Sequence, residues 1–200
     1  VFMLSAFVLL ISSPLKNAST MLFHIVSAST TTGFQFLDIS RLSDSAKLIL
    51  ILLMFIGGST LSTAGGIKIL RLIIALKGAS YFSKRHLMPP DAVVQVRLGR
   101  RVIEEREVAK SLLLIFIAAA SIVVSTLIFT LYGLSTVDSL FDITSAYATT
   151  GLSSGITASI TQPELKLLLI FLMVLGRVEV IPILTLIVIY LARIRWKIIP

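Results

Sequence analysis

Cysteine is absent from this sequence, tryptophan occurs once and histidine twice. The missing cysteine rules out a disulfide frame and any thiolate-based metal or redox chemistry, and it leaves the redox compartment open. Charge is sparse, at 14% of residues, while 56% are hydrophobic and the mean hydropathy is +0.99. A soluble domain is typically about 45 to 50% apolar, so this composition is that of a membrane protein. Acidic residues are the scarcer sign, ten against eighteen basic, for a net charge of +8. Such an excess also suits a nucleic-acid binder, but neither interleaved aromatics nor a recognition motif accompanies it, and no nucleic-acid partner is expected. Its placement points elsewhere: seven of the eighteen basic residues fall between Lys77 and Arg106, and Arg193, Arg195 and Lys197 close the chain. Clusters of this kind mark cytoplasmic loops under the positive-inside rule. An initiating Met is missing too, and neither a basic n-region nor a small-residue cleavage site marks a signal peptide, so none is expected here. Val1 to Ile11 is apolar but short of the ~20 residues that cross a ~30 Å hydrocarbon core. We expect it to be the tail of a spanning helix, in a chain that is the C-terminal part of something longer.

What the sequence does hold is an internal repeat. Ser27 to Phe34 reads Ser-Ala-Ser-Thr-Thr-Thr-Gly-Phe, and Ser145 to Leu152 reads Ser-Ala-Tyr-Ala-Thr-Thr-Gly-Leu, at a constant offset of 118 residues. Upstream, Leu22, Phe23 and Ile25 are answered by Leu140, Phe141 and Ile143. Downstream, after a one-residue slip, Lys47, Leu48, Leu50, Ile51, Met54 and Gly57 are answered by Lys166, Leu167, Leu169, Ile170, Met173 and Gly176. Two copies of one unit, each with Thr-Thr-Gly between apolar segments, organise the chain.

The segment from about Asn17 to Ala28, with Asn17 or Ser19 as N-cap, is too short to span. It predicts a re-entrant helix followed by non-helical backbone, Thr30 to Phe34, which at membrane depth must face protein or water. Asp38 to Asp44 bring the chain back to the surface. A long apolar stretch from about Ser45 to Ala75 is interrupted from Gly57 to Gly66 by four glycines and four hydroxyl residues, poor helix material. That predicts a helix broken in its middle, with Lys68 and Arg71 near its cytoplasmic end. The basic segment that follows, with Pro89-Pro90, reads as a connector. Val108 to Tyr132 predicts a spanning helix with Lys110 snorkelling at its inner end. Ser135 with Asp138 predicts a capped short helix reaching about Ala146. Ala148 to Leu152 is then the second loop, and Glu164 to about Arg195 a last apolar helix holding Gly176, Arg177 and a kinking Pro182. The expected fold class is all-α integral membrane: a pore repeat over 1–76, a basic cytoplasmic connector over 77–107 and a second repeat over 108–200, with both loops open to the outer face.

A cation crossing a membrane must exchange its water shell for oxygens fixed in space, and backbone carbonyls supply them without burying fixed charge. Glycine reaches positive φ at no steric cost and has no Cβ to block an ion. Threonines add hydroxyl oxygens, and re-entrant helices aimed C-terminus first add a favourable partial negative potential. The bland alternative is a helix stop followed by a turn; its repetition after two helices too short to span argues for a filter.

Three further motifs sharpen this. Ser29-Thr-Thr-Thr-Gly33-Phe34, then Phe55-Ile56-Gly57-Gly58-Ser59 through Ser62-Thr63-Ala64-Gly65-Gly66-Ile67-Lys68, then Leu175-Gly176-Arg177-Val178-Glu179, resemble the Trk/Ktr superfamily of potassium transporters. Met88-Pro-Pro-Asp-Ala-Val-Val to Leu98-Gly99-Arg100-Arg101 resembles the connector of its TrkH-like membrane subunits, and the similarity covers essentially the whole chain. The resemblance implies a K+-channel-like architecture of four helix, pore-loop, helix repeats around one pore, of which this chain supplies the third and fourth. It implies an ion filter made by Thr30, Thr31, Thr32 and Gly33 with Ala148, Thr149, Thr150 and Gly151, holding K+ by backbone carbonyls near Gly33 and Gly151. It implies a gating loop with Gly57, Gly58, Ser59, Ser62, Thr63, Gly65, Gly66 and Lys68, and a pore barrier at Arg177. The second loop departs from the family pattern in reading Thr-Gly-Leu. No cofactor on the chain is implied, and the transported ion is K+. Implied partners are the missing N-terminal half of the pore, a second copy in a homodimer, a cytosolic nucleotide-binding regulatory subunit and the lipid bilayer. The implied location is the cytoplasmic membrane, crossed several times, and the protein is not an enzyme.

Rival readings of single residues can be set beside these. Arg177 lies about a dozen residues inside an apolar helix, where a charge costs ~2.5 to 3.5 kcal/mol on insertion scales. Glu179 falls on another face, so Arg177 either pairs with a different helix or faces the pore. Gly58 to Lys68 superficially looks like a phosphate-binding loop, but Ile67 separates Gly66 from Lys68 and no Gly-Lys-Ser/Thr follows a strand. His24, matched by Asp142, reads as a polar residue near the pore mouth, ahead of a metal ligand. An intramembrane serine protease using Ser59 or Ser62 with His24 lacks an acidic orienter and a nucleophile motif. The basic connector is a docking surface or ordinary charge beside anionic lipid. The function expected is potassium uptake. A sodium-permeable or mixed cation transporter of the same fold, and a non-conducting anchoring subunit, are the alternatives.

Overall fold

In apolar surroundings a chain must pair its own backbone donors and acceptors, and the described residues are accordingly mostly helical. The structure, a computed structural model, describes residues 18–58, 62, 64–85, 96–98, 101–159 and 162–178. Helix α1, Ala18–Ser29, has 12 residues and is about 18 Å long, too short for a bilayer. It stops where the Ser29 and Thr30 hydroxyls donate back to the Val26 carbonyl at 3.0 and 2.6 Å. Asp38 then caps a 3-10 turn, Ile39–Arg41, accepting from the Ser40 hydroxyl and N–H; these bonds hold its carboxyl below its usual pKa. Helix α2, Asp44–Phe55, starts at Ser43, whose hydroxyl accepts from the Ala46 N–H.

The expected interruption is present, in a more definite form than a kink. Strand β1, Ile56–Gly57, pairs in parallel with β2, Ile67–Lys68, in the register Ile56 to Ile67 and Gly57 to Lys68. The chain leaves the helix at Ile56 and lies alongside itself again at Ile67, so freed backbone groups of the break bond to each other. Helix α3, Ile69–Arg85, follows directly. The first part of the segment read as connector is thus helical, and further along it β3, Val96–Leu98, pairs antiparallel with β4, Arg101–Ile103.

Helix α4, Glu105–Leu131, is 27 residues long and, among the described residues, the one helix long and apolar enough to cross a membrane. It begins ahead of the apolar run because Glu105 and Glu107 occupy its first turn, where the helix dipole favours negative charge. Helix α5, Thr136–Tyr147, matches the second short helix, but the expected cap is not made: Ser135 forms no side-chain bond to the helix, and Asp138 turns to Lys47 instead. A single turn, α6, Ile156–Ser159, and helix α7, Pro163–Val178, complete the described chain. Val1 to Ile11, Ser59, Thr63, His86, Pro89-Pro90, Glu179 and Pro182 lie outside the described residues.

Helix α5 is the inner element. It packs against α2, α4 and α7, and Ser139 and every residue from Phe141 to Ala148 are buried. One apolar cluster joins Met21, Ile25, Leu50 and Met54 of the first unit to Phe141 and Leu152 of the second. Another gathers Ile122, Phe129, Ile143, Leu165 and Leu172 around the other side of α5. A third, Ile74, Tyr81, Ile103 and Val108, ties α3 to the start of α4, where the Tyr81 hydroxyl donates to Glu105 at 2.8 Å.

Lys47 on α2 donates to Asp138 on α5 at 2.6 Å, with side-chain exposures of 5% and 24%. Removing one partner of such a pair strands the other charge, at a cost of about 3 kcal/mol. Lys47→Ala should therefore lower the unfolding midpoint of the purified protein clearly, whereas Lys110→Ala, at an exposed position on α4, should barely move it. Equal midpoints for the two variants would refute the role given to the pair.

Candidate functional site

The two Thr-Thr-Gly loops leave their helices by the same three hydrogen bonds. In the first, the N–H groups of Thr30, Thr31 and Thr32 donate to the carbonyls of Val26, Ala28 and Ser27 at 2.9, 3.3 and 2.9 Å. In the second, Ala148, Thr149 and Thr150 donate to Thr144, Ala146 and Ser145 at 2.8, 3.1 and 2.9 Å, each donor and acceptor displaced by the same 118 residues. The backbone angles repeat as well. Thr31 and Gly33 have φ of 53° and 79°, and Thr149 and Gly151 have 50° and 94°. A left-handed residue at every second position interrupts the strand alternation in which successive carbonyls face opposite sides. Glycine adopts it freely, but for a β-branched threonine it costs about 1 to 2 kcal/mol. Strain of that kind, held twice at matching positions, belongs to a functional constraint more often than to chance.

The loops also meet. A Cβ at Gly33 would overlap the Thr150 carbonyl oxygen, so only glycine admits the approach. The Gln35 side-chain oxygen accepts from the Ser153 N–H at 3.2 Å. The departure from Phe to Leu in the second loop acquires a reason here. Leu152 is buried in the cluster shared by the two units, whereas Phe34 is 70% exposed. A smaller side chain suits the enclosed position.

Beyond each glycine the chain is held by a side chain from its own short helix. His24 accepts the Phe36 and Leu37 N–H groups at Nε2, both at 3.3 Å, while its Nδ1 donates to the Thr20 carbonyl at 2.8 Å. Asp142 accepts the Ser154 N–H at 2.7 Å, and its other oxygen takes the Ser153 hydroxyl and the Thr157 N–H and hydroxyl. With both ring nitrogens so engaged, His24 is not paired with Ser62, and the polar residue expected near a pore mouth makes a structural contact. Sequence reasoning aligned His24 with Asp142 but missed this contact; the signal was the polar character shared at one repeat position despite different residues.

The interrupted segment reaches the second loop from one side. A Cβ at Gly65 would stand 2.5 Å from both the Ala148 carbonyl oxygen and the Thr149 hydroxyl, and Gly66, at φ 74°, lies beside the Met54 carbonyl. Gly57 and Gly58 are packed against Gly65 and Ala64, Ser62 is exposed, and Lys68 is half-buried in β2. Gly176 of α7 closes in from another side, where a Cβ would overlap the Tyr147 carbonyl. Arg177, next along, is exposed in the last turn of α7. A small cavity of about 20 Å³ between Gly66, Arg71, Tyr147 and Gly176 marks where these elements converge. A larger one, about 350 Å³, lies behind the second loop among Asp142, Ser145, Thr149, Gly151 and Ser153. The Thr150 hydroxyl is buried with no hydrogen-bond partner among the described residues.

A family model described as TrkH, cation transport protein, matches residues 6–194. Among curated proteins, an uncharacterized cation transporter of Methanocaldococcus jannaschii is 34% identical over 165 residues, covering 82% of this chain and 35% of the relative. The Trk system potassium uptake protein TrkH of Escherichia coli is 31% identical over 179 residues, covering 88% and 37%, and the Ktr system potassium uptake protein B of Vibrio alginolyticus is 30% identical over 159, covering 78% and 33%. The chain thus spans about a third of the length of these relatives. The crystal structure of the potassium transporter TrkH from Vibrio parahaemolyticus superposes with a TM-score of 0.76 at 25% identity, over 92% of this chain and 41% of that one.

The glycine contacts can be checked separately from any activity. Gly176→Ala meets the Tyr147 backbone, and such overpacking costs about 1 to 3 kcal/mol. Gly133→Ala, in open space at φ 84°, carries only the backbone cost, about 1 kcal/mol. The unfolding midpoint should fall further for Gly176→Ala, and the reverse order would disprove the close approach of α7 to the end of α5.

Proposed function

The chain belongs to the TrkH family of cation transport proteins, and from that membership we propose that it forms part of a potassium uptake pore in the cytoplasmic membrane. The family is one of membrane transporters, not of enzymes. The observation that carries the proposal is the matched left-handed geometry of Thr31 and Gly33 with Thr149 and Gly151. Each unit spends backbone strain on one short loop at the end of a helix too short to span. In the proposed filter, Thr30, Thr31, Thr32 and Gly33 and Ala148, Thr149, Thr150 and Gly151 replace potassium's water shell with carbonyl and hydroxyl oxygens. The C-terminal ends of α1 and α5, from which the two loops leave, add a partial negative charge that favours a cation there.

The remaining roles follow from position. Gly57, Gly58, Ser59, Ser62, Thr63, Gly65, Gly66 and Lys68 make a gating loop, supported by the glycine contact between that segment and the Ala148 carbonyl. Arg177, beside the glycine that meets Tyr147, acts as a positive barrier in the pore. The ring extends past these two units. Lys47 reaches across to the second unit, while its counterpart Lys166 is exposed on α7, as a lysine would be whose acidic partner belongs to a further repeat. Four repeats then surround one pore in the full-length protein, with this chain supplying the third and fourth. Proposed partners are a second copy in a homodimer and a cytosolic nucleotide-binding regulatory subunit. The relatives are named as members of a Trk system and a Ktr system, which supports a transporter of more than one component.

Flux through the full-length protein in liposomes tests the reading. Potassium should pass well ahead of sodium; equal rates would identify a mixed cation pathway, and no flux of either ion would leave an anchoring subunit. Arg177→Ala should increase leak, and Gly65→Val should change gating by displacing the Ala148 carbonyl. Wild-type flux in both variants would remove the barrier and the gate from the proposal.

A further inference from the structure

The backbone N–H groups that His24 and Asp142 hold stand in the same place in the two units: Phe36 and Ser154 are separated by the repeat offset of 118, as are His24 and Asp142. Two chemically unlike side chains have thus been recruited to one task, accepting a hydrogen bond from the third residue after the filter glycine. We propose that His24 and Asp142 are the positioning residues of the two loops, and that they set ion selectivity by fixing the backbone behind Gly33 and Gly151. This rests on the filter reading given above.

Each side chain is built into its helix. His24 is 2% and Asp142 3% exposed. A carboxylate so enclosed is tolerable only when its oxygens are bonded, and Asp142 receives four donors, from Ser153, Ser154 and twice from Thr157, at 2.7 to 3.1 Å. These span the turn into α6, so the whole return segment of the second loop is clamped to α5. His24 has one lone pair at Nε2 to share between two N–H groups at 3.3 Å, available because its proton sits on Nδ1, toward the Thr20 carbonyl. His24 therefore holds the first loop by fewer and longer bonds than Asp142 holds the second. In a filter, carbonyl positions decide how well a desolvated ion fits. A loop released behind its glycine accepts ions of other sizes, so losing either contact should erode preference before it abolishes flux.

The test uses the full-length protein and two readouts, amide hydrogen exchange over residues 34–38 and 152–157, and potassium against sodium flux in liposomes. His24→Leu and Asp142→Leu remove the acceptors. His24→Gln keeps an acceptor at the Nε2 position, and Asp142→Asn keeps one for the Ser154 N–H. The expected result is exchange about tenfold faster in the loop whose acceptor is lost, with reduced preference for potassium, while the Gln variant keeps near wild-type exchange at Phe36 and the Asn variant at Ser154, though not at Thr157, whose N–H then faces an amide nitrogen. Should a leucine variant fail to fold, His24→Asn and Asp142→Ala serve in its place, the asparagine being too short to reach the Phe36 N–H. Unchanged exchange and selectivity in the acceptor-free variants would overturn the proposal while leaving the filter reading intact. So would Gln and Asn variants as impaired as the leucine ones. A wild-type protein that carries neither ion would instead bring down the filter reading, and with it the selectivity role.

Discussion

A backbone amide in an apolar environment must find a partner, and this requirement shapes each irregular stretch of the described chain. Where α1 and α5 end, three N–H groups turn back onto the last carbonyls of the helix in the same pattern. Where α2 breaks, Ile56 and Gly57 pair with Ile67 and Lys68. Where the loops return, His24 and Asp142 take the amides that no helix or strand can reach. In the proposed filter, the carbonyls of the strained residues are the oxygens offered to the ion.

The two units share a backbone and differ in how side chains support it. The first loop ends in an exposed Phe34, the second in a buried Leu152. The first is held by an imidazole with one available lone pair, the second by a carboxylate with four donors. Duplicated units on one chain are free to diverge where each meets different neighbours. Leu152 fills the seam between the units, and Lys47 crosses it to Asp138. Asp138 illustrates the consequence for local signals. The Ser-x-x-Asp pattern reads as a cap, but a buried ammonium 2.6 Å away is the stronger partner for the carboxylate, and Ser135 is left without a capping bond.

Much of the site was legible because its signals are local. Thr-Thr-Gly after a dozen apolar and polar residues marks both loops, and α1 and α5 end within a residue or two of the expected places. The glycine-rich break was equally plain from composition. Its form was not: a parallel two-residue ladder needs residues eleven apart to lie alongside one another, and no propensity in Ile56 or Ile67 announces that. The early start of α4 at Glu105 was missed for the opposite reason, since a purely apolar criterion ignores the dipole that makes acidic residues good first-turn residues.

From the sequence alone came the membrane setting, the repeat and the identity of the loop residues, because hydropathy and a 118-residue echo are properties of the chain order. Tertiary structure alone decided what those residues meet. It brought Gly33 against the Thr150 carbonyl, Gly65 against Ala148 and Gly176 against Tyr147, and it gave His24 and Asp142 their amides. Contacts of this sort depend on distances set by the packing of α2, α4 and α7 around α5, and residue types carry no record of those distances until the helices are assembled.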